Sequence, residues 1–108
     1  MKSHGTCKPI PYVPGRGDGF WVNTDVLEQI QRTHEHSTDL LLLYCGLSRI
    51  MSDEQSRSFA RNNWSIGSVC CLSPRVVEKG LTELQRIGVI HVEPTAPHTI
   101  TLLGEVRL

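Results

Sequence analysis

The stretch Leu72-Ser73-Pro74-Arg75-Val76-Val77-Glu78-Lys79-Gly80-Leu81-Thr82-Glu83-Leu84-Gln85-Arg86-Ile87-Gly88 carries every local signal of one complete helix. Ser73 suits an N-cap, and Pro74 suits the first helical position, where its missing N–H costs nothing. Gly88 stands where a left-handed C′ residue is wanted. At about 100° per residue, Val77, Leu81 and Leu84 fall on one side, flanked by Gly80 and Ile87. Arg75, Lys79, Thr82 and Arg86 fall on the opposite side, with Glu78 and Glu83 at its two edges. A helix over 74–87 with a buried apolar side and a cationic outer stripe is predicted. Ordinary solvated faces interleave the two signs more evenly, because oppositely charged pairs four residues apart stabilise a helix.

Downstream of this helix, Val89-Ile90-His91-Val92 and Thr99-Ile100-Thr101-Leu102-Leu103 are β-rich. Pro94-Thr95-Ala96-Pro97-His98 joins them as a turn. Upstream, Gly67–Leu72 leaves room for roughly one helical turn. Trp64-Ser65-Ile66 reads as a short strand after a break at Asn62-Asn63. Ser52 and Gln55 have capping-box spacing, which suggests a short helix from Asp53 to about Arg61. Leu40, Leu41, Leu42, Leu43, Tyr44, Leu47, Ile50 and Met51 make a helix that is apolar nearly all round, capped by Ser37 or Thr38, and so the buried centre of the fold. Asn23, Thr24 or Asp25 caps a first helix that carries Val26, Leu27 and Ile30 and ends near His36. Residues 1–19, with Pro9, Pro11, Pro14, Gly15, Gly17 and Gly19, read as an extended arm, and Phe20-Trp21 as the anchor of a single domain over 20–108. The tripeptide Arg16-Gly17-Asp18 reads as a solvated turn.

The whole chain has 108 residues, 39% apolar and 20% charged, with 11 basic and 11 acidic residues and a net charge of +0. That is enough for one soluble domain. No apolar run approaches the roughly 20 residues of a spanning helix, and the first twenty residues contain no signal-like apolar stretch. A cytoplasmic protein without membrane contact is expected. Zero net charge hides a segregation. Residues 24–54 set Arg32 and Arg49 against Asp25, Glu28, Glu35, Asp39, Asp53 and Glu54. Residues 55–88 set Arg57, Arg61, Arg75, Lys79 and Arg86 against Glu78 and Glu83. One face is therefore suited to phosphates while the other is not.

Metal and catalytic chemistry find little support. Cys7, Cys45, Cys70 and Cys71 lack zinc-ligand spacing, and Cys45, Cys70 and Cys71 read as buried or half-buried thiols in a reducing compartment. His34-Glu35-His36 puts its imidazoles about 200° apart on a helix, so they cannot chelate from one face. His91 reads as a structural or exposed strand residue. Neither a nucleophile elbow nor a phosphate loop is present, and with two each of Phe, Trp and Tyr an enclosed pocket is not expected. The expectation is a non-enzyme with no cofactor, no metal and no small-molecule substrate.

The order of elements, together with Ser65-Ile66-Gly67, Leu72 to Leu84 and Arg86-Ile87-Gly88-Val89-Ile90, resembles the winged helix-turn-helix family over roughly residues 22–103. The nearest flavours are GntR-like regulators and the N-terminal domains of plasmid and phage replication initiators. The resemblance implies a mostly α, α+β fold of three to four helices with a C-terminal β-hairpin wing. It implies double-stranded DNA as partner, in transcriptional regulation or replication initiation, with homodimerisation left open. Residues 74–87 would be the recognition helix in the major groove. Ser73 and the first N–H groups would hold a phosphate. Arg75 and Lys79 would meet bases or phosphates, and Thr82 and Arg86 the backbone further along. Arg57 and Arg61 of the basic half and His98 of the wing turn complete the DNA-binding set. Two features depart from the family: the one-turn first helix of the motif, and a wing turn without Arg or Lys. The competing expectation is a winged-helix module that binds a partner protein and not DNA.

Overall fold

The apolar run at Leu40–Met51 becomes the axle of the molecule. In the computed structural model, which describes residues 19–33, 37–94 and 99–104, the elements are α1 (Thr24–Thr33), α2 (Ser37–Glu54), β1 (Ser58–Ala60), α3 (Asn63–Cys70), α4 (Pro74–Ile87), β2 (Ile90–Val92) and β3 (Thr99–Leu102). Leu40, Leu43, Tyr44, Leu47, Ile50 and Met51 of α2 are buried, and α2 packs against α1, α3, α4 and β1. Burial is not all round, since Leu42 remains 44% exposed. Ser48, the one buried polar residue of the core among the described residues, donates its hydroxyl to the Tyr44 carbonyl at 2.9 Å, so its donor is not stranded. Among the described residues this is a mostly helical α+β fold of four helices and a three-stranded antiparallel sheet.

Helix α1 starts at Asn23, whose Oδ1 accepts from the N–H groups of Asp25 (2.9 Å) and Val26 (3.3 Å). This resolves the three candidate caps in favour of the one whose side chain reaches two orphan donors. Val26 and Ile30 are its buried residues. Phe20 is 41% exposed, Trp21 is half-buried, and the half-buried Val22 packs on the core. The extended arm, the His34-Glu35-His36 segment and the turn at Thr95–His98 lie outside the described residues.

Between α2 and α4 the structure departs from the sequence expectations. No separate helix covers Asp53 to Arg61. Instead α2 runs on to Glu54, because Ile50 and Met51 keep its buried face going, and Gln55 ends it in a left-handed conformation (φ 53°). Ser52 is thus not an N-cap; its carbonyl accepts from the Gln55 side chain at 2.8 Å. Residues Ser58–Ala60 then pair with β3, with Phe59 turned into the core and the Ser58 and Thr101 hydroxyls 2.7 Å apart. Nor is Trp64-Ser65-Ile66 a strand. Asn62 adopts an extended cap conformation and its Oδ1 accepts from Ser65 N–H at 2.7 Å, opening the eight-residue helix α3. Eight residues make about two turns, so the one-turn expectation for Gly67–Leu72 also falls. Ile66, Gly67 and Cys70 form the buried face of α3, and Trp64 is left 72% exposed.

The hairpin strands pair as expected, with β2 and β3 in the register Ile90↔Leu102, His91↔Thr101 and Val92↔Ile100. The sheet order is β1-β3-β2, so β3 is central and its Ile100 and Leu102 are fully buried. The face expected for the fourth helix is also correct: Val77, Leu81 and Leu84 are at most 5% exposed and belong to one cluster with Leu40, Leu43, Leu47, Ile90 and Ile100. No helix among the described residues is long and apolar enough to cross a membrane.

Candidate nucleic-acid interface

Helix α4 is fastened at both ends by its own sequence. Ser73 Oγ accepts from the Val76 N–H at 3.3 Å and Pro74 occupies the first turn. Gly88, at φ 93°, sends its N–H to the Leu84 and Gln85 carbonyls, while the Val89 N–H returns to Leu84 at 3.1 Å. Only glycine adopts that left-handed cap without strain. Ser73→Ala is expected to lower stability by about 1 kcal/mol in denaturant melts, and Ser73→Gly by only a few tenths. Equal stability of Ser73→Ala and the wild type would mean that the cap bond contributes nothing.

With Val77, Gly80, Leu81 and Leu84 turned inward, the outward residues are Arg75, Glu78, Lys79, Thr82, Gln85 and Arg86. They are not equally available. Arg86 grips Glu83 through three contacts, Nε to both carboxylate oxygens at 3.1 Å and Nη2 to Oε2 at 2.8 Å. Those hydrogen bonds, and then the charge of Glu83, raise the pKa of this guanidinium further. Thr82 donates its hydroxyl to the Glu78 carbonyl at 3.1 Å, which leaves the oxygen as an acceptor toward solvent. Gln85 ties the helix to the sheet by accepting from Val92 N–H at 2.6 Å. Arg75 and Lys79 are exposed near the N-terminal half of the helix.

The remaining residues of the expected DNA-binding set do not lie on α4. Arg61 bridges α2 and α3, with Nε 2.8 Å from Glu54 Oε2 and Nη1 3.4 Å from Ser65 Oγ, and its side chain is 29% exposed. It fastens two helices together. Arg57 is exposed, just before β1, and its carbonyl accepts from Leu102 N–H. The residue at the other end of that strand, Ala60, pairs with Thr99. Arg57 and Arg61 therefore flank opposite ends of β1. His98 lies outside the described residues.

A groove of about 260 Å³ opens between α4, the start of α3 and the end of β2, bordered by Asn63, Glu78, Thr82, Gln85 and Glu93. Its rim is rich in acceptors and poor in cations. Asn63 Oδ1 is sealed from water and has no hydrogen-bond partner. A second groove, about 220 Å³, lies between α2 and α3 and is lined by Phe20, Leu42, Cys45, Val69, Cys70 and Cys71. Of the cysteines expected to be buried or half-buried, Cys70 and Cys45 are so and Cys71 is not. Cys70 is buried, and desolvation first, then the neighbouring thiols, pushes it up to about 11. Cys45 is half-buried and raised by desolvation, whereas Cys71 is exposed because it forms the left-handed corner after α3 (φ 61°). Raised thiols are poor nucleophiles at neutral pH. Among the described residues no three His, Cys, Asp or Glu side chains are grouped to hold a metal ion.

The chain matches no protein-family model, no curated protein and no solved structure. The functional reading therefore rests on the geometry of α4 and its surroundings. Two features of that geometry escaped the sequence reading, namely the full length of α3 and the exposure of Trp64. Asn62 and Ser65, three apart at a helix start, were the signal that could have found both.

Proposed function

We propose that this chain is a winged helix-turn-helix protein that binds double-stranded DNA with sequence preference, α4 entering the major groove, in transcriptional regulation or replication initiation. The observation that carries the proposal is the two-sidedness of α4, with Val77, Leu81 and Leu84 buried and Arg75 and Lys79 exposed behind a capped, Pro-started N-terminus. That combination presents cations and the positive end of the helix dipole to one phosphate-bearing surface. Support for the fold comes from the order α2-β1-α3-α4-β2-β3, the three-residue corner Cys71–Ser73 between α3 and α4, and the sheet order β1-β3-β2. A helix pair joined by such a short turn is the usual frame of a groove-reading helix.

Binding to random duplex, followed by electrophoretic shift across salt concentrations, tests the proposal. Arg75 and Lys79 together are expected to contribute about two units to the log–log salt slope. Arg86 adds little while Glu83 holds it. Lys79→Ala should weaken binding to all sequences alike and flatten the slope by roughly one unit, and Arg75→Ala should cost about 1–3 kcal/mol at a preferred site. Retention of wild-type affinity by the Arg75→Ala, Lys79→Ala double variant would remove α4 from the interface. One observation favours a second reading, a module that docks on another protein: Trp64 stands 72% exposed on α3, and exposed aromatics are enriched at protein interfaces. Loss of a protein partner on Trp64→Ala, with no duplex binding by the wild type, would decide for it.

A further inference from the structure

Among the described residues the acidic side chains are almost all accounted for, and the exception lies on the proposed reading helix. Glu28 pairs with Arg32, Asp53 with Arg49, Glu54 with Arg61 and Glu83 with Arg86, and Glu93 Oε1 lies 3.2 Å from His91 Nε2, within hydrogen-bond distance. Asp25 and Asp39 sit in the first turns of α1 and α2, where the helix dipole favours a carboxylate. Glu78 has neither kind of compensation among the described residues. It lies beyond the first turn of α4, exposed, at the edge of the cationic stripe that turns toward the sheet. It also borders the acceptor-rich groove shared with Asn63, Gln85 and Glu93. Position 82, four residues on and the best place for a compensating cation, is a threonine whose hydroxyl donates to the backbone instead.

Resting on the DNA reading above, we infer that Glu78 sets sequence specificity by accepting a hydrogen bond from the N4 amino group of a cytosine in the major groove. A carboxylate here repels every phosphate that Arg75 and Lys79 attract, so it taxes binding to arbitrary sequence. Only a donor can offset that repulsion, and the major groove presents two, cytosine N4 and adenine N6. Adenine sets the N7 acceptor beside its amino group, which repels a carboxylate. Cytosine presents its donor alone. Glu78 thus filters sites both by exclusion and by one attractive contact.

The test is selection of binding sites from a pool of random duplexes, with wild type, Glu78→Ala and Glu78→Gln run side by side. Wild type should enrich a cytosine at one position. Glu78→Ala should lose that preference, a drop in discrimination of roughly 5- to 150-fold, and should bind random duplex more tightly than wild type. Glu78→Gln should move the same position toward adenine, whose N6 and N7 match an amide. Melting temperatures should be unchanged, because the side chain touches solvent. Identical base preferences in all three proteins would overturn the role of Glu78 while leaving DNA binding intact. Failure of the wild type to retain any duplex would overturn the DNA reading beneath it.

Discussion

Leu81→Ala is expected to lower the free energy of unfolding by about 2–5 kcal/mol, the range for truncating a large apolar side chain in a packed core. Leu81 is 5% exposed and lies one turn from the fully buried Val77 and Leu84, in the same cluster as Leu40, Leu43 and Ile90. Shortening its isobutyl side chain to a methyl leaves a void in this cluster, and the caps at both ends of α4 oppose a shift of the helix to fill it. Denaturant melts of the purified variant measure the effect directly. A cost below about 1 kcal/mol, the level of surface substitutions, would put Leu81 outside the core and rotate the assigned face of α4.

Gly67→Ala should cost about 2–3 kcal/mol, although alanine is the better helix former by about 1 kcal/mol. A Cβ at position 67 would lie 2.3 Å from the Leu72 carbonyl oxygen. That oxygen is backbone and cannot swing aside, because the Leu72 N–H is itself bonded to the Gly67 carbonyl at 3.0 Å. The corner between α3 and α4 must therefore open. Gly80→Ala is the matched control. There the nearest atom is Leu43 Cδ2 at 2.5 Å, the far end of a flexible side chain, so a smaller loss is expected once the gain in helix propensity is counted. Equal effects at the two positions would show that the α3–α4 corner is not held by the Gly67 approach.

What could be read in advance follows the range of the forces involved. Helix α4 was legible to the residue because its determinants are local: a serine cap, a proline at the first position, an apolar residue every three or four places, and a glycine at the end. The long apolar helix α2 and the hairpin strands were legible for the same reason. The candidate interface was legible only in part. The stripe of Arg75, Lys79, Thr82 and Arg86 could be drawn on a helical wheel, but its working charge could not, since that depends on how side chains pair. Arg86 is held by Glu83 and Arg61 by Glu54, whereas Glu78 stands without an ion pair among the described residues.

The amino-acid sequence by itself determined α4, its buried and exposed sides, the apolar axle and the pairing of β2 with β3. Only the tertiary structure decided that Ser58–Ala60 is a strand and that Arg61 is held between α2 and α3. The physical reason is distance along the chain. A three-residue strand has too few residues for a periodic signal and exists because β3 accepts it, through contacts such as Ser58 with Thr101, 43 positions away. Hydrogen bonds across such separations, unlike caps and helical faces, depend on partners that a local window does not contain.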